Sequence, residues 1–73
     1  MTENEKLVSG LKKLNLQHKN RLKSWELDIE CSLTGDDVSN AKGRINGYLN
    51  ALADVAIIDR EECRAIYRFY VSR

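Results

Sequence analysis

Apolar residues recur at three- and four-residue steps along most of this 73-residue chain, and no proline interrupts them. That pattern restricts the fold more than any other feature, because an apolar face repeating every 3.6 residues is what a helix offers to a core. From the N-terminus the series is Leu7, Leu11, Leu14, His18, Leu22, Trp25, Ile29 and Leu33. Thr2 and Glu5 stand ahead of it at capping-box spacing. The spacing predicts one long first helix over residues 3–33, roughly 45 Å at 1.5 Å per residue. The steps from His18 to Leu22 and from Ile29 to Leu33 make the stripe drift around the helix, as at a stutter, so it need not form a continuous heptad seam. The alternative is a break near Asn15, whose side chain competes for backbone hydrogen bonds.

Thr34-Gly35 is expected to end this helix, with glycine in the left-handed position beyond it, and Asp36-Asp37 to start the next. Residues 44–73 then read as a helical hairpin. Ile45, Tyr48, Leu49, Leu52 and Val55 share one helical face, and Ile66, Tyr67, Tyr70 and Val71 share another after a break. Asp59 and Glu62 mark that break as a capping box, and Ile58 and Cys63 flank it where a hydrophobic staple would fix the angle of the chain. The expected fold is therefore all-α, a single helical domain over 1–73. It has three helices, at about 3–33, 37–53 and 60–72, the long first one packed against the C-terminal hairpin.

Within the second helix Ser39, Gly43, Gly47 and Ala51 step by four and form a stripe of small residues. Each interior glycine costs about 1 kcal/mol relative to alanine. Close packing of another helix, or of a bulky ring such as Trp25, would explain two of them. The competing explanation is that Gly43 marks a helix start or kink.

A chain of this length buries only about 60% of its unfolded surface, which makes self-association a standing expectation. The charge pattern offers a way to achieve it. Lys12, Lys13, Lys19, Arg21 and Lys23 form a basic block without an acid, and Glu26, Asp28, Glu30, Asp36 and Asp37 an acidic block without a base. Two first helices packed antiparallel about Trp25 would set each block against its complement, giving a homodimer whose candidate interface is Leu14, His18, Arg21, Leu22, Trp25 and Ile29. In the alternative, each block is solvated or meets the hairpin. On the third helix Arg60, Arg64 and Arg68 form a basic stripe suited to an acidic partner or to phosphates, although such a stripe also serves as an ordinary solvent face.

The chemistry that the sequence offers is thin. His18 is the only histidine and lies on the apolar stripe, where a packed or interface-edge imidazole accounts for it. Glu26, Asp28 and Glu30 lack a partnering ligand at metal spacing, and neither a phosphate loop nor a nucleophile elbow is present. Cys31 and Cys63 form no CxxC pair and read as free thiols. No catalytic residue, metal, cofactor or small-molecule substrate is expected. With 42% hydrophobic and 32% charged residues, no apolar run of about 20 residues and no secretory pattern at the start, the composition fits a folded, cytoplasmic protein without a membrane span.

A nucleic-acid reading competes with protein binding. Ala53, Ile58, Cys63 and Tyr67 overlay the apolar positions of a helix-turn-helix, with the basic block and the arginine stripe as its phosphate contacts. Against it, Ile57 occupies the glycine position of the turn, the third helix opens with Asp59, Glu61 and Glu62, and the net charge is only +1.

Gly47, Tyr48, Ala51, Leu52, Ile58, Glu62, Tyr67 and Tyr70 also form a hairpin pattern that resembles small helical accessory proteins of bacteriophages and bacterial mobile elements. It covers about a third of the chain, which has Ala56-Ile57 where that pattern places a turn glycine. The resemblance implies a small regulator or inhibitor that binds a host or phage protein. The function expected is thus a non-enzymatic protein-binding module, with a small nucleic-acid-binding regulator as the alternative.

Overall fold

The computed structural model describes residues 2–72. It is all-α among them, but with four helices instead of three: α1 (Glu3–Lys13), α2 (Leu16–Cys31), α3 (Gly35–Asp54) and α4 (Arg60–Val71). The expected long first helix is broken at Leu14 and Asn15, the position named as the alternative. Both residues are extended, and Asn15 caps α2 by accepting from the His18 N–H at 2.8 Å. The His18 Nδ1 returns the bond by accepting from the Asn15 N–H at 3.3 Å. Two donors that a helix start would otherwise leave unpaired are thereby satisfied, which stabilises the break.

The next boundary also differs from expectation. α2 stops at Cys31, and the hydroxyl of Ser32 donates back to the Asp28 carbonyl. Thr34 is the N-cap of α3, accepting from the Asp37 N–H at 3.2 Å, and Gly35 is the first helical residue, without a positive φ. Asp36 and Asp37 sit in the first turn, where negative charge complements the helix dipole. Leu33, expected as the last member of the apolar stripe, is 96% exposed.

The hairpin turn is a Schellman motif with alanine in the place of glycine. Ile57 N–H reaches the Leu52 carbonyl and Ala56 N–H the Ala53 carbonyl, both at 3.0 Å, while Ala56 takes φ 63°. Leu52 and Ile57 lie against the same core, the hydrophobic contact that accompanies this motif. Beyond the turn the expected capping box is present: Asp59 accepts from Glu62 N–H at 2.7 Å and Glu62 from Asp59 N–H at 2.9 Å.

α2, α3 and α4 pack on one another around Leu14, Leu22, Ile45, Leu49, Leu52, Ile58, Cys63, Ile66 and Tyr70. α1 packs closely against α4 alone among the helices. No described helix is long and apolar enough to cross a membrane. Cys31 is exposed and Cys63 buried, both as free thiols.

The α1–α4 contact rests on Gly10. A Cβ there would stand 2.7 Å from Ile66 Cδ1 and 3.1 Å from Glu62 Cβ, so only glycine lets the helices approach this closely. Beside it the Glu62 carboxylate is 1% exposed. It accepts from Ser9 Oγ at 2.6 Å and from Lys13 Nζ at 2.7 Å in addition to the cap. Burial pushes that carboxyl up, but Lys13, Ser9 and the Asp59 N–H together outweigh it and hold Glu62 below the ordinary glutamate range. Around the edge, Lys6 pairs with Asp59 at 3.2 Å and Glu61 at 3.3 Å, and Arg68 with Glu3 at 3.1 Å.

Candidate binding surface

The residues expected to meet a partner through the first helix are used inside the chain only in part. Leu14 and Leu22 are buried, and Trp25 and Ile29 pack partly buried against the same core. Tyr48 of α3 gathers the others. Its ring meets Trp25 edge-on at 5.4 Å and His18 at 6.1 Å, and the Arg21 guanidinium lies 5.9 Å above it. Offset and edge-on aromatic pairs of this kind, with a cation over the ring face, add about 0.5–1.5 kcal/mol each beyond the area buried. Leu14, His18, Arg21, Leu22, Trp25 and Ile29 are therefore a seam between α2 and its own neighbours. Arg21 remains exposed on it, and His18, Trp25 and Ile29 half-buried. The basic block is divided as well, since Lys12 and Lys13 belong to α1, and Lys13 is committed to Glu62.

The small-residue stripe is likewise placed contrary to expectation. Ser39, Gly43, Gly47 and Ala51 are all exposed, and a Cβ at Gly43 or Gly47 would meet nothing within 4 Å. Neither another helix of the chain nor Trp25 comes near. Gly43 also lies well inside α3, so it marks neither a start nor a break. At about 100° per residue, Ala41, Ile45, Leu49 and Leu52 turn to the core and Gly43, Asn46, Gly47 and Asn50 turn away from it.

That outward face runs into a groove between α3 and α4 lined by Asn46, Asn50, Arg60, Cys63, Arg64 and Tyr67, with a volume of about 230 Å³. Its two sides follow from helix spacing. Asn46 and Asn50 are one turn apart on α3, joined by an amide–amide bond of 3.3 Å, and Arg60 and Arg64 are one turn apart on α4. At the floor, the Cys63 thiol donates to Asn50 Oδ1 at 3.6 Å, and burial pushes the thiol up. Such a thiol is held neutral and serves as packing rather than as a nucleophile.

The three arginines of the stripe have different fates. Arg68 is turned toward Glu3 on α1. Arg60 stands 3.9 Å from Asp54, with side chains 85% and 69% exposed, a pair that water screens almost completely. Arg64, between them, lines both this groove and the α1–α4 cleft that holds Lys6 and Glu61, and it has no ion pair among the described residues. Asn46, Asn50 and Tyr67 were not singled out from the sequence as surface residues. The available signal was the placement of the two asparagines beside Gly43 and Gly47.

The face thus offers amide donors and acceptors, two lightly committed guanidinium groups, an aromatic side chain and an adjacent strip without side chains. Arginine forks match carboxylates in two-point fashion, asparagine satisfies backbone groups, and bare glycine admits another backbone to close range. Comparison with protein families, with curated proteins and with solved structures finds no match for the chain.

Proposed function

We propose that this chain is a small non-enzymatic module that binds an acidic segment of a partner protein on its outer α3–α4 face. The observation that carries this reading is the joint position of Arg60 and Arg64 across a groove from Asn46 and Asn50, beside two glycines that nothing in the fold requires. Two interior helical glycines cost about 2 kcal/mol relative to alanine. A partner backbone seated close to α3 is a use for them that a solvent face does not have. The arginines would select the partner by charge and speed its encounter, with affinity coming from the close packing along α3. Following the resemblance of the hairpin to phage and mobile-element accessory proteins, the partner is a host or phage protein in the cytoplasm that the chain regulates or inhibits.

Nucleic-acid binding is the second reading, favoured by the exposed Lys12, Lys19 and Lys23. It fits α4 less well as a recognition helix. Glu62 in its first turn is buried against α1, and Asp59 and Glu61 engage Lys6. That turn is the part of a recognition helix that normally reaches base edges.

Affinity capture with the wild-type chain, Gly43→Leu and the Arg60→Glu/Arg64→Glu pair tests the first reading. A partner retained by the wild type and lost by both variants supports it; equal capture by all three refutes it. Generic duplex DNA at low salt tests the second, where binding should weaken in Lys19→Glu/Lys23→Glu and not in Gly43→Leu.

A further inference from the structure

We propose that α1 exchanges between two copies of the chain, forming a closed pair in which each α1 runs straight into α2 as one helix and packs against α4 of the other copy. Three observations carry this. First, the close packing of α1 on another helix is confined to α4, so its interactions are separable from the rest of the fold. Ser9 and Lys13 on Glu62, Lys6 on Asp59 and Glu61, Glu3 with Arg68, and Gly10 over Ile66 are all α1–α4 contacts, and each can re-form when the α4 belongs to a second copy.

Second, the connection is only Leu14 and Asn15, with neither glycine nor proline to enforce a turn. Short hinges of this kind are where identical elements exchange. Third, the apolar series Leu7, Leu11, Leu14, His18, Leu22 keeps its helical step across the break, so a continuous helix retains one apolar face. At the hinge the bent form is held by the reciprocal bonds between Asn15 and His18 and by the buried Leu14 side chain, which must keep a place in the core of the closed pair.

The exchange is reciprocal, so two copies close a two-fold pair and no chain end is left to propagate. The contact is also selective for its own kind. α1 brings Lys6 and Lys13, a hydroxyl and a glycine to a helix start that presents Asp59, Glu61 and Glu62, a match of charge and shape that the chain itself supplies. At low concentration the bent monomer is favoured because it avoids the cost of association. The backbone hydrogen bonds gained in straightening the hinge favour the pair as concentration rises. The outer α3–α4 groove is presented in both forms, and Arg64, which also lines the α1–α4 cleft, borders the α1 of the other copy in the closed pair.

Two substitutions at the hinge push in opposite directions. Asn15→Ala removes the cap and favours helix through the break; with two caps lost per closed pair, dimerisation should strengthen about thirtyfold. Leu16→Pro places proline at the first helical position of α2, where it is tolerated, and excludes helix at Asn15, which is already extended. It should stay monomeric. Sedimentation of the wild type and both variants from micromolar to millimolar concentration, with circular dichroism to establish folding, reads the result. A dimer promoted by Asn15→Ala and abolished by Leu16→Pro is expected. The proposal is overturned if Asn15→Ala associates no more tightly than the wild type, or if Leu16→Pro dimerises as readily. Should Asn15→Ala fail to fold, persistence of wild-type dimerisation in Leu16→Pro would still overturn it.

Discussion

Replacing each helical glycine by alanine separates the two roles that glycine has in this fold. At Gly43 and Gly47 an added Cβ meets open space, so the change should recover the helix-propensity difference, about 1 kcal/mol at each site. At Gly10 the same gain is opposed by a Cβ placed 2.7 Å from Ile66 Cδ1 and 3.3 Å from Ile66 Cγ1. Ile66 has no exposed surface and therefore little room to retreat. Overpacking of a filled core costs about 1–3 kcal/mol, which leaves Gly10→Ala between neutral and about 2 kcal/mol destabilised. In a domain of this size 1 kcal/mol moves Tm by roughly 4–8 °C. Gly43→Ala should raise Tm by about that amount, and Gly10→Ala should leave it unchanged or lower it by up to roughly 15 °C. Thermal melts followed by circular dichroism at one protein concentration measure both. Adding Ile66→Val, which removes the obstructing methyl, should recover part of the loss, with a coupling of at least about 0.5 kcal/mol in the double-mutant cycle. If Gly10→Ala stabilises as much as Gly43→Ala, α1 does not approach α4 as described and the reasoning fails.

Glu62→Gln should destabilise by about 1–3 kcal/mol in urea denaturation, because one of the two buried oxygens that accept from Ser9, Lys13 and the Asp59 N–H becomes an NH2 that cannot accept. Asp59, through the Glu62 N–H and then Lys6, and Glu62 both titrate below their ordinary values, 3.8 and 4.5. Their contribution is complete above those values and is lost as pH falls through the lower, folded ones, so stability should drop below about pH 4.5 and drop less in Glu62→Gln. Ala56→Gly should stabilise by about 1 kcal/mol by relieving the left-handed alanine, a gain visible in the same denaturation midpoint. One thiol per chain, exposed Cys31, should react promptly with an aromatic disulfide reagent. Cys63 should react only on unfolding.

Much of the hairpin was legible because its signals are local. The Asp59–Glu62 box, the Ile58 and Cys63 positions beside it and the core faces of α3 and α4 follow from residues within a turn of one another, except that Val55, expected on the α3 face, is the exposed C-cap of that helix. The break at Asn15 was harder to read, since the apolar step is the same on both sides and the cap is reciprocated by a histidine, not by the glutamate of the usual pattern. The glycines show the limit most clearly. Gly10, Gly43 and Gly47 carry the same helical cost, and nothing in the spacing says which faces a neighbour. The close approach falls at Gly10, which the periodicity does not distinguish, and the conspicuous stripe lies in the open. Burial of Glu62 was also out of reach, because its partners Ser9 and Lys13 are 53 and 49 residues away.

Amide chemical-shift mapping on the nitrogen-labelled chain, as an acidic helical peptide is titrated in, tests the proposed binding face most directly. Shifts should concentrate at Gly43, Asn46, Gly47, Asn50, Arg60, Arg64 and Tyr67, weaken with added salt, and vanish in Gly43→Leu although that variant keeps its helix content. Shifts centred instead on Lys19 and Lys23 of α2, or unaltered by Gly43→Leu, would contradict the account.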